Sequence, residues 1–153
     1  MNPFQRLLSG LRGGLSRPPR SEADQRLVVL NVTRQTQLGT SVELAGSGPK
    51  RTKGLLGRKG LEPGGGMWIV PCEAVHTIGM QFPIDLVYLD RGHCVRKVRH
   101  KVPAGRLSGC LSAHSVIELP AGTVLLTQTQ PGDQVEFSPA PTQSATPGAG
   151  ETA

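Results

Sequence analysis

Aromatic residues are scarce in this sequence, which has one Trp, one Tyr and three Phe among 153 residues. Proteins that bind single-stranded nucleic acid usually stack the bases on several exposed aromatic side chains. The formal net charge of +6 could still attract an anionic partner. Because most basic surfaces are simply solvated and stacking residues are few, the composition does not favour nucleic-acid binding.

Cysteines and long apolar runs are also few. The three cysteines cannot all pair within one chain, so they indicate no disulfide framework and fit a reducing compartment. No segment approaches the length that spans a bilayer. The N-terminal stretch FQRLLSGLRGGL is broken by Gly and Arg, unlike the apolar centre of a signal peptide. We therefore expect a cytoplasmic protein.

The two ends of the chain lack the apolar surface that would offset the entropy of ordering them. Residues 1–25 are rich in Gly, Pro, Ser and Arg, and residues 138–153 contain no large apolar side chain. We predict that both are disordered and that 26–137 forms a single β-rich domain. Residues 4–15 have apolar side chains at helical spacing that could touch a membrane surface, but their glycines disfavour the helix.

The middle of the chain has the pattern of short strands separated by Gly and Pro. A β-branched run at 26–32, an alternating run at 40–45 and an apolar run at 67–71 are examples. The best helix candidate lies near 49–58, where Pro49 is close to the start. These elements predict a mainly β fold, either a jelly-roll-like β-sandwich or a partly closed barrel, with one short helix.

Four segments of this region occur in a specific order. They are RTKGLLGR (51–58), GGMWIVPCEAVHTIGMQFPIDLVYLD (65–90), SVIELPAG (115–122) and PGDQV (131–135). With them the chain resembles the domain of unknown function 192 family of small bacterial and archaeal proteins. Many members have Trp-Met-Lys-Asn-Thr where this chain has HTIGM at 76–80, so no role of that Lys or Asn is transferred. The resemblance implies a compact, mostly β, jelly-roll-like fold and supplies no activity.

Two Cys-x3-His pairs suggest a zinc-stabilised structural protein as one alternative. Cys72 with His76 and Cys110 with His114 could supply the four ligands of a tetrahedral site. Residues i and i+4 share a face on a strand, so each pair could converge. Structural zinc sites favour tighter spacing of like ligands, however, so Cys72 is better interpreted as a small buried hydrophobe and His114 as a loop residue. We expect no metal and no other cofactor.

A second alternative is a hydrolase-like enzyme in which His76 acts as a base. Asp85 or Glu118 would orient the imidazole, and Cys72 could serve as the nucleophile. Nothing near these residues resembles a cysteine hydrolase signature. The simpler interpretation of His76 is a core residue that hydrogen-bonds to a carboxylate or a carbonyl.

The two carboxylates have structural interpretations of their own. Asp85 follows Pro83 and Ile84 at the start of a strand, so we expect it to accept backbone N–H bonds or to pair with Arg51 or Arg58. Glu118 lies on an otherwise apolar strand. Inward-facing acids are usually paired, so we expect an arginine from 51–58 beside it.

Our preferred interpretation is a small non-enzymatic binding or interaction module. A few polar groups beside an apolar strand are typical of small-molecule pockets, and we place a cleft near His76, Met80 and Asp85. The partner would be a small ligand or a protein, and the sequence identifies neither. The predicted ligand-binding residues are Arg51, Arg58, Trp68, His76, Thr77, Met80, Asp85 and Glu118.

Overall fold

The computed structural model describes residues 25–141, and the predicted membrane-contacting segment 4–15 lies outside them. The described part is mainly β, as predicted. Its elements are β1 (Arg26–Asn31), β2 (Thr36–Ala45), α1 (Gly48–Lys53), β3 (Gly65–Ile69), β4 (Ala74–His76), β5 (Ile84–Leu89), β6 (Val95–Val102), β7 (Leu107–Gly109), β8 (Ser115–Pro120), α2 (Thr123–Leu126) and β9 (Val135–Pro139).

Seven of these strands form one curled sheet in the order β6-β5-β8-β3-β2-β1-β9, which makes a half barrel. All neighbours are antiparallel except β2 and β3, which are parallel. A parallel pair needs a crossover connection, and here α1 and the loop after it provide it. β4 and β7 form a separate two-stranded sheet. β9 runs to Pro139, two residues past the domain end predicted at 137, because Ser138 and Pro139 pair with β1.

The two edge strands of the large sheet, β6 and β9, meet near their first residues. Cys94 forms an isolated antiparallel bridge with Gln134. The Val95 N–H donates to the Asp133 carbonyl at 2.8 Å, and the Gly132 N–H donates to the Val95 carbonyl at 2.8 Å. The Asp133 carboxylate fixes this turn by accepting from the Asn31 side chain at 2.9 Å. The sheet is therefore closed at one corner and open elsewhere, which makes it a partly closed barrel.

Both faces of the sheet are covered, and β5 is buried along its whole length. Successive side chains of a strand point to opposite faces, so each central strand contributes to two apolar clusters. One cluster contains residues from both edges of the sheet and therefore lies inside the curl; we call it the inner cluster, and Val29, Val87 and Val135 belong to it. The outer cluster packs beneath α1 and includes Leu55 and Met67.

The helices differ from the prediction. α1 ends at Lys53 rather than near residue 58, because Gly54 takes a φ of 51° and leaves the helical conformation. The sequence did not predict α2, which starts after Gly122 and buries Val124 in the inner cluster. Neither of these helices, the two in residues 25–141, is long and apolar enough to cross a membrane.

Gly66 explains part of the glycine run that opens β3. Its φ is 148°, and a Cβ atom built at this position would lie 2.5 Å from the backbone carbonyl oxygen of Glu118. A side chain here would force β3 away from β8. The glycine therefore lets β3 and β8 approach each other closely beside Glu118.

Candidate functional site

A cavity of about 180 Å³ lies on the outer side of the sheet, between α1, β4 and the strands below them. Its buried members, which we call the floor, include the apolar side chains of Leu55, Ile69 and Met80. Its exposed members, which we call the rim, include basic side chains of α1 and β4. These rim residues are Arg51, Lys53 and His76.

Glu118 is the acidic residue of the floor. It is only 4% exposed, and its buried Oε2 atom has no hydrogen-bond partner within residues 25–141. Burial raises the pKa of Glu118 to about 7, and the positive charge of Arg58 offsets this only in part. The predicted ion pair with an arginine from 51–58 is wrong, because the Arg58 Nη2 atom donates to Glu43 instead, at 2.6 Å.

Glu43 provides an internal comparison for Glu118. The two residues lie in one row across the sheet, since Met67 of β3 is the register partner of both. Burial raises the pKa of Glu43, but the hydrogen bond and the charges of its arginines outweigh this and hold the pKa below its usual value. Arg26 and Arg58 contact its carboxylate at 2.5 Å and 2.6 Å. One carboxylate of the row is thus neutralised, whereas the other faces the cavity.

His76 is exposed on β4, so its predicted position in the core is wrong. Within the described residues, no hydrogen bond joins it to Asp85 or Glu118, and its contribution is to the rim of the cavity. The enzyme alternative requires an imidazole that a carboxylate orients. The described geometry does not supply this orientation.

Asp85 lies on the other side of the sheet, fully buried next to α2. Its Oδ1 accepts the Lys101 N–H at 2.8 Å, and its Oδ2 accepts the N–H groups of Gly122 at 3.1 Å and Val124 at 2.8 Å. These are the backbone bonds expected for Asp85, although the donors come from distant segments and not from its own turn. Asp85 holds the start of α2 and does not line the cavity.

Three other predicted site residues also lie away from the cavity. Trp68 stacks on Phe137 with ring centroids 3.8 Å apart and packs against the inner cluster. The buried Thr77 hydroxyl donates to the Pro103 carbonyl at 2.6 Å and accepts the Arg106 N–H at 2.9 Å. The Arg58 side chain forms an ion pair with Glu43. The structure therefore brings together four of the predicted residues: Arg51, His76, Met80 and Glu118.

Cys72 lines the cavity, a position that the sequence interpretation missed. Its thiol donates to the Ala74 carbonyl at 3.2 Å. Burial raises the pKa of this thiol, which disfavours the reactive thiolate. Across residues 25–141, no three His, Cys, Asp or Glu side chains are placed to hold a metal ion together. The structure therefore does not bring Cys72, His76, Cys110 and His114 together as the zinc alternative requires.

The ion pairs of Glu43 lead to a stability prediction. We expect Arg58→Ala to lower the free energy of unfolding by about 1–2 kcal/mol at pH 7, because a mostly buried carboxylate loses one of two partners. Since the pKa of Glu43 is lowered, this contribution is present above the ordinary glutamate pKa of 4.5 and is lost as the pH falls through the lowered pKa. Urea unfolding at pH 7 and pH 3 measures both effects.

The matched control for this experiment is Lys59→Ala. Lys59 is the next residue in the chain and is exposed. Its replacement should change the free energy of unfolding by less than about 0.5 kcal/mol. Equal effects of the two substitutions at pH 7 would contradict the assigned role of Arg58.

Comparison with known proteins identifies the family but not an activity. The model of the DUF192 family, described as an uncharacterized ACR, matches residues 29–137. No curated protein matches the chain.

Two solved structures share the fold. A candidate transcription regulator from Sinorhizobium meliloti 1021 has 22% identity and a TM-score of 0.65, over 74% of this chain and 92% of that one. A protein of unknown function from Novosphingobium aromaticivorans DSM 12444 has 19% identity and a TM-score of 0.63, over 72% of this chain and 83% of that one. These likenesses concern the fold alone. Because the family model spans well over half of the 153 residues, the chain belongs to the DUF192 family.

Proposed function

We propose that the protein is a small-ligand binding module and that the cavity above Glu118 is its binding site. The observation that carries the proposal is the Glu118 side chain, which belongs to a residue only 4% exposed and whose Oε2 atom has no hydrogen-bond partner among residues 25–141. Burying a carboxylate without a partner costs stability. A ligand that donates hydrogen bonds into the cavity would supply the missing partner.

The comparison with Glu43 strengthens this proposal. The same face of the sheet accommodates two arginines around one carboxylate of the row. The fold is therefore able to neutralise an acid at this level, and it leaves Glu118 without such a pair. A group that lowers stability and faces a cavity is a candidate for function, since structural requirements do not explain it.

The shape of the cavity sets the kind of ligand. An apolar wall of Leu55, Ile69 and Met80 with a few polar groups is typical of small-molecule sites. The volume of about 180 Å³ is below the roughly 300–1,000 Å³ of pockets that hold drug-sized ligands. The ligand in this proposal is thus a small polar molecule.

The proposal includes a cytoplasmic location. All three cysteines, Cys72, Cys94 and Cys110, are free, which supports a reducing compartment. An enzymatic role for His76 has less support, because among the described residues no carboxylate is placed to orient the exposed imidazole. We therefore favour binding over catalysis.

NMR titration with three simple probes tests the proposed function. Ethylammonium and acetamide donate hydrogen bonds, whereas acetate only accepts them. We expect the two donors to shift the methyl resonances of Leu55, Ile69 and Met80, and we expect acetate to leave them unchanged. At pH 8, where Glu118 is mostly ionised, Glu118→Gln should weaken ethylammonium binding by about tenfold or more, because a charge-assisted hydrogen bond is lost.

The control is Glu136→Gln, which removes an exposed carboxylate from β9 and should leave ethylammonium binding unchanged. The proposal would be abandoned if no donor probe moved the cavity methyls at millimolar concentration. It would also be abandoned if Glu118→Gln bound ethylammonium as well as the wild type does.

A further inference from the structure

We infer that the ligand of the cavity is a small zwitterion of the amino-acid type, with its ammonium group on Glu118 and its anionic group on Arg51 and Lys53. This inference rests on the proposed function and adds the chemical class of the ligand. It follows from the negative charge at the floor of the cavity and the positive charges at its rim.

The floor of the cavity provides the negative charge. Glu118 is its acidic residue, and no group of the described part of the chain donates a hydrogen bond to the buried Oε2. The Arg58 side chain, which is the cation that most affects Glu118, is bonded to Glu43 and lies outside the cavity lining. A ligand ammonium group at the floor would therefore meet an acceptor that no described side chain occupies.

The rim provides the positive charge. Arg51 and Lys53 are exposed on α1, and both line the cavity. The Cys72 thiol feels the charges of both Arg51 and Glu118. Burial raises the pKa of its thiol, Arg51 lowers that pKa, and Glu118 raises it. Because Arg51 and Glu118 form no ion pair with each other in the described structure, a molecule can bridge them across the cavity.

The arrangement disfavours ligands with a single charge. A plain anion that reached the floor would be repelled by the Glu118 carboxylate, and a plain cation would have to pass the basic rim. A zwitterion satisfies both groups at once. The volume of about 180 Å³ restricts it to a small molecule, and the apolar wall formed by Ile69 and Met80 favours a short aliphatic substituent.

Three probes of similar size separate the groups of such a ligand: L-alanine, ethylammonium and propionate. NMR titration of the folded full-length chain, followed on the methyl groups of Leu55, Ile69 and Met80, gives their affinities. We expect alanine to bind about tenfold more tightly than ethylammonium, because it gains a charge-assisted contact at the rim. Propionate should not bind in the cavity.

The decisive variant replaces both rim cations, Arg51→Ala together with Lys53→Ala. It should weaken alanine binding by about tenfold because the rim contact is lost, and it should leave ethylammonium binding as tight as in wild type or tighter because two repelling charges are removed. Arg99→Ala, an exposed arginine of β6, is the matched control and should change neither affinity. Thermal unfolding of each variant confirms that it is folded, and both rim residues are exposed.

The outcomes distinguish this inference from the proposed function. If ethylammonium binds but alanine binds no more tightly, or if the rim variant binds alanine as the wild type does, the zwitterion inference is overturned and the binding module remains. If neither ethylammonium nor alanine binds to the wild type, both are overturned. Tight alanine binding that requires both Glu118 and the rim cations supports both.

Discussion

Replacing Asp85 by Asn is expected to lower the free energy of unfolding by about 3–5 kcal/mol, which is a large effect for one substitution. The carboxylate is fully buried and accepts backbone N–H groups from three residues: Lys101, Gly122 and Val124. An asparagine amide offers one acceptor oxygen, and its NH₂ group would face an N–H donor. At least one buried donor would lose its partner, and the start of α2 would loosen.

Urea unfolding measures this loss, and hydrogen exchange locates it at the amides of Lys101, Gly122 and Val124. Asp90→Asn is the matched control. Asp90 accepts the N–H groups of Gly92 and Cys94 in a turn where its side chain is 31% exposed, so we expect a loss of about 1 kcal/mol or less. If Asp85→Asn retained wild-type stability and lost ethylammonium binding, Asp85 would belong to the binding site and its structural assignment would be wrong.

Unlike Asp85→Asn, replacing Glu118 by Gln should raise the free energy of unfolding at high pH. Burial raises the pKa of Glu118 from 4.5 to about 7, so the folded chain holds this proton more tightly than the unfolded chain does. Stability is therefore highest below pH 4.5 and falls as the pH rises from 4.5 to 7, by about 3 kcal/mol in total for this group. Glutamine does not ionise. The variant should gain about 3 kcal/mol relative to wild type between pH 4 and pH 8.

Glu43→Gln is the control in the same row of the sheet. The pKa of Glu43 is lowered, so its carboxylate stabilises the fold above the ordinary glutamate pKa of 4.5, and the variant should be less stable than wild type at pH 8. Urea unfolding of both variants at pH 4, 6 and 8 gives the comparison. A loss of stability for Glu118→Gln at pH 8 would mean that the carboxylate has a partner within the protein, and the proposed site would lose its main support.

The mainly β fold could be predicted because strand alternation and Gly- or Pro-rich turns are local patterns. The alternation of residues 74–78 in the sequence puts Ala74, His76 and Ile78 on one face of a strand. It could not show which face is covered, and β4 pairs only with β7, which leaves His76 exposed. The short α2 escaped prediction because four residues are too few for a helical period.

The candidate site was less predictable because it depends on strand pairing between distant segments. The apolar strand around it indicates that Glu118 is buried, and the structure has it only 4% exposed, on the outer side of the sheet. Which acid meets Arg58 depends on the register that aligns Glu43, Met67 and Glu118 across three strands. The turn chemistry likewise predicted that Asp85 accepts backbone bonds, but the donors at Lys101 and Gly122 come from the tertiary fold.

The corner at which β6 meets β9 affects the order in which the chain can fold. β9 pairs with β1 along its length and touches β6 through the bridge between Cys94 and Gln134. During synthesis, β1 is therefore an open strand edge until the residues of β9 have left the ribosome. Open edges can pair with other chains, and contacts between sequence-distant strands form slowly. β9 thus completes the described sheet and protects the β1 edge from pairing with another chain, while β6 stays open along most of its length.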